Sequence, residues 1–297
     1  MPQLTGLHVY PVKSTYRLSP ADARVEPWGL AGDRRWMFAG PTGRAVTQRD
    51  EPTLGQYRVH PHEDGSLTIT DPGGARVHVP AASAAAGDQT AQGDVFGTLF
   101  PAVEAAKEVQ IWLADRLGDV RLLHLDEPAT SRQIDLEHAR PGETTSMADG
   151  FPLLLATTAS LDALNRHLAT DHPGDDRRAE PLPMERFRPN LVVSGTAPWA
   201  EDGWRRIRIG DVEFRVAKPC GRCVVTTTDQ ESGERRGPEP LLALGRHRRF
   251  GKKLVFGQNL VPERPDGVTG DDLGTVRLGD EVTVLEEGPR PQPDRRR

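Results

Sequence analysis

Thirty glycines and twenty-six prolines break this 297-residue chain into short runs. Turn-forming clusters recur along its first third: Gly29-Leu30-Ala31-Gly32-Asp33, Gly40-Pro41-Thr42-Gly43, Asp64-Gly65 and Gly73-Gly74. Such punctuation favours short strands joined by tight turns over long helices. Between the turns, residues 4–11, 24–26, 36–39, 56–61, 66–70 and 75–79 read as strands. Regularly spaced short strands of this kind suggest an antiparallel barrel or sandwich. Later in the chain, residues 120–125, 191–194, 204–209, 212–217, 224–228, 254–260 and 275–285 read the same way.

Helical periodicity is confined to two places. Val103, Ala106, Val109, Trp112, Leu113 and Leu117 recur at helical spacing, and Gly118 supplies a stop, which predicts a helix over 102–117. Leu161, Leu164 and Leu168 mark one face of a second helix that starts at 158. The chain is therefore expected to be mostly β with a few helices, an α+β protein. A composition shift near residue 95 suggests a strand-rich lobe over 1–95 and a mixed lobe over 96–285. Residues 286–297, rich in Pro and ending in three Arg, are expected to be disordered.

The charge excludes some functions. With 38 basic and 43 acidic residues the net charge is −5, so no global field draws nucleic acid. No apolar run approaches the ~20 residues that a membrane span needs. No basic stretch followed by an apolar run opens the chain, and the expected location is the cytoplasm.

The chemistry is concentrated in Cys220-Gly221-Arg222-Cys223, which holds both cysteines of the chain. Structural zinc needs four ligands, and the only close histidine pair, His60-x-His62, lies in the other lobe. A reactive dithiol usually sits at a helix N-terminus, whereas both flanks here read as strands. A single thiolate ligand to a soft, redox-active metal is the third reading. It calls for an anion-binding pocket built by residues elsewhere in the chain. Lys13, Arg34 and Arg188 are cations at turns that suit such a pocket.

These motifs, taken as an ordered set, resemble the MOSC family. The carboxyl half resembles a MOSC domain in Asp149-Gly150-Phe151-Pro152, Arg186-Phe187-Arg188-Pro189-Asn190, Gly210-Asp211-Val212, Lys218-Pro219-Cys220-Gly221-Arg222-Cys223 and Phe256-Gly257-Gln258-Asn259. The amino half resembles the MOSC N-terminal β-barrel domain in Tyr10-Pro11-Val12-Lys13-Ser14, Gly32-Asp33-Arg34-Arg35-Trp36 and Thr47-Gln48-Arg49. The resemblance runs from Leu4 to about Leu285, to the module shared by molybdenum-cofactor sulfurase C-termini and the mitochondrial amidoxime-reducing enzymes.

That resemblance implies two β-barrel-like lobes with a molybdenum-molybdopterin cofactor in the cleft between them. It implies that Cys223 ligates molybdenum and that Cys220 is a buried neighbour. Lys13, Arg34, Arg188 and Asn190 fall at cofactor-contacting positions, Gly221 and Arg222 flank the metal ligand, and Asp149 sits in a loop over the pterin. Asp149 is also the expected proton carrier. The implied activity is reduction of small N-hydroxylated compounds (amidoximes, hydroxylamines, N-hydroxy nucleobases) by oxygen transfer to molybdenum. The alternative is a cofactor or sulfur carrier that uses Cys223.

The sequence departs from the family in two ways. Some bacterial relatives carry a ferredoxin domain with further cysteines, absent here, so electrons are expected from a separate ferredoxin, flavoprotein or cytochrome. Gly150 and Phe151 follow Asp149 where the mitochondrial members carry small hydroxyl residues. The basic run Arg246-His247-Arg248-Arg249 with Lys252-Lys253 reads as a solvated helix face, with docking of an acidic electron donor as the sharper reading.

Overall fold

The computed structural model describes residues 1–265 and 267–294. The first part of the chain forms β1 (Gln3–Leu7), β2 (Asp22–Glu26), β3 (Gly29–Leu30), β4 (Trp36–Ala39), β5 (Arg58–Pro61), β6 (Leu67–Thr70), β7 (Arg76–Val79), β8 (Thr90–Val95), β9 (Thr98–Glu104), α1 (Lys107–Leu117) and β10 (Arg121–His124). There follow α2 (Pro128–Ser131), β11 (Leu153–Thr157), α3 (Thr158–Asp171), α4 (Asp176–Ala179), β12 (Leu191–Ser194), β13 (Trp204–Ile209) and β14 (Val212–Gly221). The chain then forms α5 (Leu241–His247), β15 (Arg249–Phe250), β16 (Lys253–Pro262), β17 (Thr275–Arg277) and β18 (Val282–Glu287). The fold is mostly β with short helices, as the turn density and strand periodicity imply.

The largest sheet runs β1-β12-β11-β16-β14-β13-β18, with β15 added beside β16. The chain crosses back to build it: β1 pairs antiparallel with β12, Leu4 opposite Val193 and Leu7 opposite Leu191. Leu4, Leu155, Val193, Ile207, Phe214 and Leu260 form its fully buried core. Each such side chain contributes roughly 1.5–3 kcal/mol through its removal from water. A second sheet, β4-β10-β9-β8, packs with the small sheet β5-β6-β7 around Phe38, Ile69, Leu113 and Leu122.

Several elements differ from the sequence reading, each for a local reason. The expected helix over 102–117 starts only at Lys107, because residues up to Glu104 form strand β9, paired with β8 through Val103 and with β10 at Val103 and Glu104. The expected lobe boundary at 95 therefore falls at the tip of the β8–β9 hairpin, and the sheet continues through β10. The Val224–Thr227 segment is a 3-10 turn rather than a strand. Its threonine hydroxyls bond back, Thr226 Oγ1 to the Cys223 carbonyl at 2.9 Å and Thr227 Oγ1 to the Val224 carbonyl at 2.7 Å. Such local side-chain bonds compete with a ladder and override β propensity. Strand β18 reaches Glu287, opposite Trp204, so the expected tail begins two residues too early. Asp294 also bonds the β15 turn through the Arg249 carbonyl at 2.8 Å and the Gly251 N–H at 2.8 Å. Residues 295–297 of that tail lie outside the described residues.

The basic run is largely consumed inside the fold. Arg246 pairs with Asp171 at 3.0 Å and His247 with the same carboxylate at 2.9 Å. Arg248 is buried, 2.8 Å from Asp202. Of this run, Arg249, Lys252 and Lys253 are exposed.

Two irregularities shape the strands that deliver the cysteines. Along β14–β16 the register passes from Pro219 opposite Gln258 to Gly221 opposite Val255, so Phe256 and Gly257 face the single residue Cys220. Gly257 accepts this bulge with φ +81°, and a Cβ there would fall 2.6 Å from the Leu155 carbonyl oxygen. Bulges of this kind bend a strand and re-aim its side chains, here at the chain segment that ends in Cys223.

Candidate functional site

The eight residues singled out in the sequence line one cavity of about 340 Å³ between the first lobe and the large sheet. They are Lys13, Arg34, Asp149, Arg188, Asn190, Gly221, Arg222 and Cys223. Arg49, Lys218 and Asn259 line it too, and among the described residues Asp149 is the one acidic lining residue.

Each wall is built by turn geometry. Lys13 follows a bridge between Val12 and Trp36, and its N–H donates to the Trp36 carbonyl at 2.7 Å. Arg34 has a left-handed backbone, φ 48°, in the turn after Gly32. Its N–H donates to the Tyr10 carbonyl at 2.7 Å, and its guanidinium donates to Asp33 and, at 3.0 Å, to Asn190 Oδ1. Arg188, also left-handed at φ 52°, closes the 3-10 turn Met184–Phe187 and donates to Gln230 Oε1 at 2.8 Å. Arg34 and Arg188 lie 4.3 and 4.2 Å from the centroid of the Tyr10 ring. The fully buried phenol is thus a spacer between two like charges, and cation–π attraction offsets part of their repulsion.

Asn190 is a joint more than a free ligand. Its Oδ1 accepts from Arg34 and from the Leu154 N–H at 3.2 Å, and its Nδ2 donates to the His8 carbonyl at 3.0 Å. It fixes Arg34 to the edge where β1 and β11 meet β12.

Asp149 reaches the cavity because Arg132 holds the preceding loop. The buried Arg132 guanidinium donates to the carbonyls of Ser146 and Ala148. The Met147 N–H donates to the Arg34 carbonyl at 3.0 Å. The Asp149 carboxylate accepts from Lys13 and, at 3.1 Å, from Arg49. Although its side chain is 57% exposed, the surrounding cleft desolvates it and would raise its pKa; Lys13 and Arg49 overcome that and hold it well below the usual carboxylate range. Burial lowers Lys13 to about 8, against the pull of Asp149 and with Arg132 and Arg34 adding to the fall. Asp149 therefore stays ionised, contrary to the expectation that it carries a proton. Lys13 is the group of this pair that exchanges a proton near neutral pH.

Arg49 is the residue that sequence reasoning left out of the site. Its Nη2 sits 3.1 Å from Asp149 Oδ2 and 3.3 Å from Cys223 Sγ, so one guanidinium joins the acid to the thiol. Thr47-Gln48-Arg49 stood among the family marks, yet nothing local in it points to a thiol 174 positions away. Arg222 donates to Cys220 Sγ at 2.9 Å and to the Phe187 carbonyl at 2.6 Å. Both cysteines are free and partly exposed, so Cys220 is not the buried neighbour expected.

A pH dependence follows from Lys13. Its positive charge is present below about 8 and lost above it. Affinity of the cofactor-free protein for sulfate, whose own charge is constant over this range, is expected to fall as pH rises from 7 to 9. Titration calorimetry should show this fall, and Lys13→Met should flatten it.

A two-lobed β protein that surrounds a partly exposed thiol with Lys and Arg is a scaffold for an anionic, soft-metal-bearing ligand. Residues 1–120 match the family model of the MOSC N-terminal beta barrel domain, and residues 142–283 match that of the MOSC domain. Mitochondrial amidoxime-reducing component 1 of Mus musculus is 31% identical over 296 residues, covering 94% of this chain and 81% of the mouse protein. The Homo sapiens protein of the same name is 29% identical, with 94% and 82% covered. Molybdenum cofactor sulfurase of Oryza sativa subsp. japonica is 31% identical over 86% of this chain, which spans 32% of the sulfurase's length. The chain belongs to the MOSC family.

Proposed function

We propose that this chain is a molybdenum-cofactor-dependent oxidoreductase that reduces N-hydroxylated compounds such as amidoximes, hydroxylamines and N-hydroxy nucleobases. The observation that carries this reading is the composition of the cavity. Lys13, Arg34, Arg49, Arg188, Lys218 and Arg222 line it together with a single acid and the Cys223 thiol. The Arg222 Nε is buried without a partner among the described residues, a donor left over by their own hydrogen bonds. This donor set fits a phosphate-bearing pterin with a thiolate-bound metal. The names of the mouse and human relatives support the activity.

When bound, the molybdenum cofactor supplies two-electron oxygen-atom transfer. Cys223 would provide the protein thiolate to the metal, and Lys13, Arg34 and Arg188 would take the phosphate end. Gly221, which lines the cavity beside Cys220 and Cys223, would leave room for the cofactor by carrying no side chain. Arg222 anchors the thiol-bearing loop to Phe187, and Asn190 fixes Arg34. Asp149, held ionised, orients Lys13 toward the phosphate end and Arg49 toward Cys223. The reaction consumes two electrons. We propose that a separate electron-transfer protein delivers them. Among the described residues no helix is long and apolar enough to cross a membrane, and we place the protein in the cytoplasm.

The test is elemental and pterin analysis of protein from a host that makes the cofactor, together with benzamidoxime reduction under a chemical electron donor. Near-stoichiometric molybdenum with turnover is the expected result; protein that holds neither metal nor pterin overturns the reading. The second reading is a cofactor or sulfur carrier. It is favoured by the part-exposed Cys223 Sγ beside Arg49 and by the names of the sulfurase relatives. It predicts a persulfide on Cys223, seen by intact mass, in protein that lacks turnover.

A further inference from the structure

Phe96 occupies the tip of the β8–β9 hairpin with φ 54°, and Gly97 follows at 83°. Val95 pairs with Thr98, so Phe96 and Gly97 form a two-residue turn with both φ angles positive. That geometry belongs to the type I′ turn, whose first position favours Asn, Asp or Gly. A bulky residue there is a conformational outlier, and outliers of this kind cluster at functional sites. Burial does not compensate it, since Phe96 is 64% exposed.

The tip is firmly held. The Gly97 N–H donates to Asp94 Oδ1 at 2.7 Å. The Asp94 N–H donates to the Gly43 carbonyl at 2.9 Å, and the Asp94 carbonyl accepts from Ala45 at 2.9 Å. The Phe96 ring then faces the cavity's own cations, 4.9 Å from Arg49 Cζ and 6.0 Å from Lys13 Nζ. Those are the two groups bonded to Asp149, and Arg49 also touches Cys223. A strained, exposed aromatic ring is thus held at the rim of the site beside its reactive groups.

We propose that Phe96 is a specificity-determining residue that stacks the flat aryl part of a substrate at the cavity mouth. This rests on the function proposed above and adds a preference for aryl over alkyl N-hydroxylated compounds. Stacking of this kind is worth about three- to tenfold in affinity.

The informative variant is Phe96→Asn, which suits the turn and therefore does not confound the test with misfolding. Its Tm is expected to rise by about 2 °C or more as the turn relaxes. The ratio of kcat/KM for benzamidoxime over acetamidoxime is expected to fall three- to tenfold, through KM for the aryl compound. Phe96→Trp should keep the ratio. An unchanged ratio in Phe96→Asn overturns the proposal and leaves a merely strained turn. If the wild-type protein reduces neither compound, the proposed function fails separately. Equilibrium binding of benzamidoxime to cofactor-loaded protein without an electron donor then decides the aryl contact. Weaker binding by Phe96→Asn supports it; equal or absent binding in both proteins overturns it.

Discussion

Cys223→Ala protein, made in a host that supplies molybdenum cofactor, is expected to lose most of its molybdenum and to reduce benzamidoxime at least about 100-fold more slowly. Removing a residue that hydrogen-bonds and orients a metal ligand commonly costs 10–100-fold, and loss of the protein ligand itself should cost no less. The two cysteines are not equivalent in the fold. Cys223 begins the 3-10 turn at the cavity and is bonded to Arg49, which reaches across from the first lobe. Cys220 sits opposite the β16 bulge and is bonded to Arg222 of its own loop. Cys220→Ala is therefore expected to keep molybdenum content and turnover within about threefold of wild type. Equal losses in the two variants, read by metal analysis and steady-state kinetics, would refute the assignment of Cys223 as the ligand.

Arg248→Ala should destabilise the protein by about 3–5 kcal/mol, the usual consequence of leaving a buried charge without its partner. Arg248 and Asp202 are both 4% exposed at the side chain and lie 2.8 Å apart. Gln258 also donates to Asp202 at 2.9 Å, and the guanidinium lies 4.1 Å from the Trp199 ring centroid and 4.8 Å from that of Phe250. Burial already pushes the Asp202 carboxyl up, with Arg248 as the main opposing influence. In the variant that opposition is gone, so the carboxyl rises further. A carboxyl whose folded pKa lies above its unfolded value favours the fold when protonated, and stability falls as pH rises through that interval. The deficit of Arg248→Ala should thus be smaller near pH 4.5 than at pH 7.5. Urea unfolding at both pH values measures it. A variant with near-wild-type stability at pH 7.5 would show that this residue is solvated surface, as its place in a basic run suggests.

Much of the fold was legible because its determinants are local. Residues 36–39 read as a strand from β-favouring, apolar side chains, and β4 spans the same four residues. Leu161, Leu164 and Leu168 marked the face of α3 that packs against Phe187 and Phe256. The failures occurred where a local signal had two solutions. The apolar spacing of 102–117 suits a helix, but a strand partner before Glu104 won its first part. The β-branched run after Cys223 suits a strand, but threonine hydroxyls satisfied the backbone in a turn instead.

The same division holds for the candidate site. Turn chemistry, two isolated cysteines and short motifs are written in neighbouring residues, and from them the sequence by itself determined the β-rich class, the family and the eight residues that come to line one cavity. Tertiary structure alone decided what those residues do to one another. The bonds of Lys13 and Arg49 to Asp149 and of Arg49 to Cys223 span 136, 100 and 174 positions. No periodicity or spacing encodes such contacts, because they arise where two lobes with separate cores close on each other. Within single lobes, too, only tertiary packing turned Arg248 from surface charge to the buried partner of Asp202 and brought the Phe96 hairpin tip beside Arg49.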